Sequence, residues 1–155
     1  MFNAGGGIDS IEPAMPGAPS LHNRARSLFS SIMGGQSNKI FGTNALPNTG
    51  GYSFIGGGRW NMIWGNPPSY YSSITGGILN NISASTTSHI VGGQLNKILD
   101  SANSFIGGGA ANHVKTDAHW SSVVGGAYNT ISGASRAVIV NGQSNTIHGG
   151  HDYSA

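Results

Sequence analysis

The sequence predicts an all-β fold, a parallel β-roll or β-helix coil of about seven turns. Three observations carry the prediction. First, Gly-Gly-x-x-Asn-x-[Ile/Val] recurs along the chain with its Asn at Asn38, Asn61, Asn80, Asn96, Asn112, Asn129 and Asn145, and the later intervals settle at 16 or 17 residues. Second, the columns around that Asn are consistent. Three residues before it stands Gly35, Gly58, Gly77, Gly93, Gly109, Gly126 or Gly142, and six before it always stands Ile or Val. Eight before it is Ser in every copy but one, which has Ala137, and two after it is Ile or Val again. Third, Gly is 26 of 155 residues without the every-third-residue spacing of collagen, so the glycines belong to a longer repeat.

Each element follows from this frame. Residues 1–26 lack the repeat, carry a run of three glycines and three prolines, and predict an extended N-terminal arm. Residues 27–148 hold the repeat. Ser-x-Ile and Asn-x-Ile each have a period of two, so each reads as a short strand with one small or polar and one aliphatic residue facing inward. The Gly pair between them supplies a corner that needs positive φ or close backbone approach, and Asn141 replaces the first Gly of one pair as a residue tolerant of that conformation. One such unit cannot bury its own face, but a stack of them can. Asn side chains one turn apart are expected to form an amide ladder. The early linkers, FGTNALPNTGGY and WGNPPSYY, are longer than the later ones, and residues 149–155 read as a short polar tail.

Composition excludes several function classes. Charged residues are only 8%, and the seven Lys and Arg are scattered along the chain, which gives no expectation of nucleic-acid binding. The absence of Cys excludes disulfides and thiol chemistry. The N-terminus has no basic segment followed by an apolar one, which predicts no signal peptide. No stretch approaches the apolar length of a membrane span, so no membrane partner is expected. Asp100 and Asp117, 17 residues apart, are the nearest thing to a carboxylate pair, and surface acids of this kind are usually solvated. His148 and His151 lack a supporting cluster, and no nucleophile or nucleotide motif is present. The expectation is a non-enzymatic protein with no catalytic residue, cofactor or metal.

Several positions that alternate with the inward columns are large and apolar. Phe54, Trp60, Leu79, Leu95, Phe105 and Tyr128 are therefore the candidate contacts of a homotrimer. Trp60, Trp64, Tyr70 and Tyr71 cluster in and beside the second long linker as an alternative receptor-binding surface.

The units SSIMGGQSNKI, SHIVGGQLNKI, SSVVGGAYNTI and VIVNGQSNTI resemble the Gly- and Asn-rich coil repeats of phage and virus fibre and decoration proteins. They also resemble the head repeats of trimeric autotransporter adhesins, which form parallel β-rolls packed as trimers. The resemblance runs from about Ser30 to Ile147. The sequence shows no signal peptide, coiled-coil stalk or membrane-anchor barrel, which departs from the adhesins. The resemblance implies a virion role. The small body with its arm points to a bacteriophage capsid decoration (cement) protein at the capsid surface, with the major capsid protein or other shell subunits as partner. Phe2, Ile8, Ile11, Arg24 and Arg26 are the candidate capsid-binding residues of the arm. The alternative is a tail-fibre or adhesin module that recognises a cell-surface glycan or protein.

Overall fold

Each turn of the repeat contributes one short strand to each of two parallel sheets, so the chain coils as a parallel β-solenoid. The computed structural model describes residues 2–3, 22–27, 29–41, 51–65 and 69–149. Among them, one eight-stranded sheet, the odd sheet, stacks β1 (Phe2–Asn3), β3 (Ser31–Ile32), β5 (Phe54–Ile55), β7 (Ser73–Ile74), β9 (His89–Ile90), β11 (Phe105–Ile106), β13 (Ser122–Val123) and β15 (Val138–Ile139) in that order. The other, the even sheet, stacks β2 (Arg24–Ala25), β4 (Lys39–Ile40), β6 (Met62–Trp64), β8 (Asn81–Ser83), β10 (Lys97–Leu99), β12 (His113–Lys115), β14 (Thr130–Ser132) and β16 (Thr146–His148). Between the Gly pair and the Asn a third line of single parallel bridges runs Gln36, Arg59, Ile78, Gln94, Ala110, Ala127, Gln143. No described helix is long and apolar enough to cross a membrane.

Register is strict because equivalent residues of successive turns pair directly, as in Ile82 with Ile98 and Ile98 with Val114. A slip of one residue would turn every Ile outward. The apolar core is accordingly two files of aliphatic side chains. Ile55, Ile74, Ile90 and Ile106 line the odd sheet, and Ile63, Ile82, Ile98 and Val114 the even sheet, all at most 1% exposed. Each such side chain contributes about 1.5–3 kcal/mol on burial.

The rest of the interior is largely polar, and among the described buried side chains only Ser27 Oγ lacks a hydrogen-bond partner. Asn96 shows the pattern. Its backbone N–H donates to Asn80 Oδ1 of the preceding turn at 3.0 Å, and its own Oδ1 accepts from the Asn112 N–H of the next at 3.0 Å. Its Nδ2 donates to the Gly92 carbonyl at 2.9 Å and the Gly109 carbonyl at 3.1 Å. The expected amide-to-amide ladder is thus a side-chain-to-backbone ladder. At Asn145, Nδ2 instead donates to Asn129 Oδ1 at 3.1 Å. The opposite corner is closed by two files of small residues three apart. Ser85 and Ser88, then Ser101 and Ser104, are buried, and Ser88 N–H donates to Ser72 Oγ while Ser88 Oγ donates to the Ser101 carbonyl.

The second Gly of each pair has two reasons to be Gly. Gly93 has φ +82°, and a Cβ there would overlap the Gly109 carbonyl oxygen. The first Gly differs from expectation. Gly92 faces open space, and neither it nor Asn141 has positive φ. The left-handed conformation falls instead on the residue before each Asn, including Trp60 (φ 57°), Leu79 (φ 58°), Leu95 (φ 60°) and Tyr128 (φ 58°), and on the residue before each Ser of the opposite corner, such as Tyr71 (φ 54°) and Trp120 (φ 56°). Trp60, Leu79, Leu95, Tyr128 and Trp120 are held there by a backbone bond to the neighbouring turn, as in Leu95 N–H to the Ile78 carbonyl at 3.0 Å.

The coil begins earlier than residue 27. Asn23 occupies the Asn column, its Oδ1 accepting from Asn38 N–H at 3.0 Å, and Ala25 takes the aliphatic position two residues later. Asn23-x-Ala25 is a reduced copy of Asn-x-Ile, so Arg24 and Arg26 sit on the first turn of the even sheet rather than on a free arm. Ile8, Ile11 and most of the two long linkers lie outside the described residues.

Gly93→Ala is expected to destabilise the fold by more than about 2 kcal/mol, while the adjacent Gly92→Ala changes stability by less than about 0.5 kcal/mol. Urea unfolding of both variants checks this, and equal losses would refute the corner geometry. Asn96→Leu leaves the Asn112 N–H and the Gly92 carbonyl without this partner and removes one of the two donors to the Gly109 carbonyl, at a cost of at least about 2 kcal/mol. Hydrogen exchange at the Asn112 amide should accelerate with it.

Candidate functional site

With Ser, Ile and Asn turned inward, function falls to the outward columns. On the odd sheet the position before each inward aliphatic is Ser31, Phe54, Ser73, His89, Phe105, Ser122 or Val138. The position after it is Met33, Gly56, Thr75, Val91, Gly107, Val124 or Val140. None of these is Lys, Arg, Asp or Glu. Met33, Val91, Val124 and Val140 are exposed. Ser73 Oγ and His89 Nδ1 lie 2.9 Å apart.

The two SFIGGG segments gain their third glycine here. A Cβ on Gly56 would meet the Phe54 ring at 3.4 Å, and one on Gly107 the Phe105 ring at 3.3 Å. A Cβ at either position would also collide with the next turn's backbone, at the Thr75 or Val124 carbonyl. Each Phe therefore lies across glycine and is partly covered.

The six residues expected to make trimer contacts fall on two lines. Phe54 and Phe105 are on the odd sheet. Trp60, Leu79, Leu95 and Tyr128 form the left-handed column at the glycine corner, 39–60% exposed. The receptor cluster expected of Trp60, Trp64, Tyr70 and Tyr71 is dispersed. Arg59 covers Trp60 at 4.3 Å from the ring centroid. Trp64 faces out from the even sheet, its Nε1 donating to Asn81 Oδ1 at 3.2 Å. Tyr71 stacks on Tyr52 at 5.2 Å, and Tyr52 on Phe29 at 5.0 Å, so their inner faces cover one another.

The even sheet differs in charge. Its outward positions carry Arg24 and Arg26 on the first turn, Lys39 on the second, Lys97 on β10, and His113 and Lys115 on β12. His113 is partly buried, with Lys97 directly opposite and Thr130 on its other side. Burial, and then the charges of Lys97 and Lys115, hold its pKa below the ordinary 6.5.

Asp100 and Asp117 do stack one turn apart, Asp117 N–H donating to the Asp100 carbonyl at 2.9 Å. They sit on the exposed linker corner, and the Asp117 carboxylate is 3.7 Å from His119 Nε2. Among the described residues no three His, Asp or Glu side chains gather as a metal site would require.

Sequence reasoning missed the second small file (Ser69, Ser85, Ser101, Ala118, Ala134) and the Asn23 turn. The small residue three places before each column Ser was the available signal. No known protein family, curated protein or solved structure matches the chain. The class is defined by geometry: a parallel β-solenoid of about seven turns with chemically unlike faces.

Because the folded pKa of His113 lies below its unfolded value, the unfolded chain takes up the proton first as pH falls. The stability this group contributes is intact above pH 6.5 and is lost as pH falls through the folded value. Thermal melts between about pH 7.5 and 5 should show a smaller loss for His113→Gln than for the unmodified chain. An identical pH response would contradict the cause assigned here.

Proposed function

We propose that the chain is a non-enzymatic structural protein of a virus particle, a homotrimer that decorates the capsid shell. The observation that carries the assembly half is the odd sheet's outward face, uncharged from Ser31 to Val140 and studded with exposed Met33, Val91, Val124 and Val140. Charged residues are depleted at the cores of protein interfaces, and a thin coil gains from burying such a face against copies of itself. The column of Trp60, Leu79, Leu95 and Tyr128 is a second exposed apolar line, set apart from that face by the glycine corner and the bridge line of Gln36, Arg59, Ile78 and Gln94. The virion half is supported by the resemblance of the repeat units to coil repeats of phage and virus particle proteins. Shell anchoring draws on Arg24 and Arg26, here held on the coil rather than on an extended arm.

Light scattering on a sizing column tests the assembly. The expected mass is three times the 15.8 kDa chain. Val91→Glu with Val124→Glu should shift it to one chain while leaving the fold melting cooperatively, since both side chains already face solvent in the single coil. A monomeric unmodified chain would refute the trimer, and a trimer that survives both substitutions would refute the face.

A further inference from the structure

We propose that the outward face of the even sheet is a cationic docking face for an acidic protein surface. The inference deepens the reading above and rests on it only for naming that partner a shell subunit. Five of the chain's seven Lys and Arg lie on this one face: Arg24, Arg26, Lys39, Lys97 and Lys115. They are scattered in sequence. The repeat gathers them, because a residue just before or just after the second inward aliphatic of any turn must point out from the even sheet. The acids among the described residues, Asp100 and Asp117, stand off this face on the linker corner. Folding therefore separates an uncharged face from a basic one in a chain whose net charge is only +2.

The arrangement selects the partner's class. The cations form two groups, one on the first two turns and one on β10 and β12. Between them sit Met62 and the exposed Trp64, whose indole is oriented by Asn81. An aromatic anchor with Met beside it and charge around it is the layout of a protein interface. Nucleic acid fits less well. Five cations over a coil roughly 34 Å long give about one per 7 Å at the spacing of stacked strands. Duplex DNA carries one charge per about 1.7 Å. An acidic protein surface presents carboxylates at the sparser spacing.

Binding of the full-length chain to immobilised poly-L-glutamate, with duplex DNA as a second probe, tests the proposal. Retention on poly-L-glutamate is expected at about 50 mM salt and should vanish as salt rises. Lys97→Gln with Lys115→Gln should weaken it about fivefold or more. Thr87→Glu with Arg136→Gln lowers net charge by the same two units at the linker corner and should change it less than about twofold. Equal losses from both pairs would reduce the effect to net charge and overturn the face. So would absence of binding, or tighter retention on DNA than on poly-L-glutamate. Light scattering on the Lys97/Lys115 variant separates this face from assembly. Its mass should match that of the unmodified chain, and a lower mass would make the even sheet the self-association face instead.

Discussion

Each buried Asn ties three successive turns together, and the remaining architecture follows from that contact. Asn96 accepts from one neighbouring turn's backbone through its Oδ1, and through Nδ2 it reaches a carbonyl of its own turn and another of the turn on that same side. Its backbone N–H meets the side chain on the other side. Corner backbone groups point into the coil where no strand can satisfy them, and leaving them unpaired would cost about 1–3 kcal/mol each. The carboxamide, with a donor and an acceptor on one short stem, meets both needs at once. A carboxylate lacks the donor, and an aliphatic side chain lacks both. The glycine three residues earlier is then forced, because the Gly109 carbonyl that this Nδ2 reaches lies so close to Gly93 that a Cβ there would overlap it.

This solution fixes how little apolar material the coil needs. A turn contributes two Ile or Val, one Asn and two small residues to the interior, and the Ser hydroxyls close the second corner as the Asn closes the first. Such a core has no thick centre where one large residue dominates. Stability instead accumulates turn by turn, through interfaces between identical neighbours. The same logic explains why the lengthened linkers after Phe41 and Trp64 are tolerated. The strands on either side of them stay in register, as the pairing of Ile40 with Ile63 and of Ile63 with Ile82 shows.

The inward half of the structure was legible because it is periodic. Gly93, Asn96 and Ile98 recur at one spacing, and the alternation of inward and outward residues assigns both strands. The first glycine of the pair misled because composition cannot tell a glycine needed for φ from one facing open space. The left-handed backbone sits at Leu95 and Tyr128, residues that intrinsic preference would never nominate. Context overrides preference there, since the backbone bonds to adjacent turns hold the conformation and the side chain is left free to face solvent. Asn23 was hidden by its partner, Ala25, which is too small to register as a core residue when read alone.

Charge was the least legible feature, and for a geometric reason. Lys39, Lys97 and Lys115 are separated by 58 and 18 residues, so no window along the chain contains a basic stripe. A solenoid converts distance in sequence into adjacency by its period, and what matters is position within the turn. Arg59 and Arg136 fall at other phases of the repeat and stack on Trp60 and Trp120 at the corners. The others fall just before or just after the second Ile of a turn and share a plane. On a coil whose interior is fixed by Asn, Gly and Ile, the outward phases are free to vary independently of the fold. A face can then be made basic or uncharged one turn at a time, without disturbing the ladder beneath it.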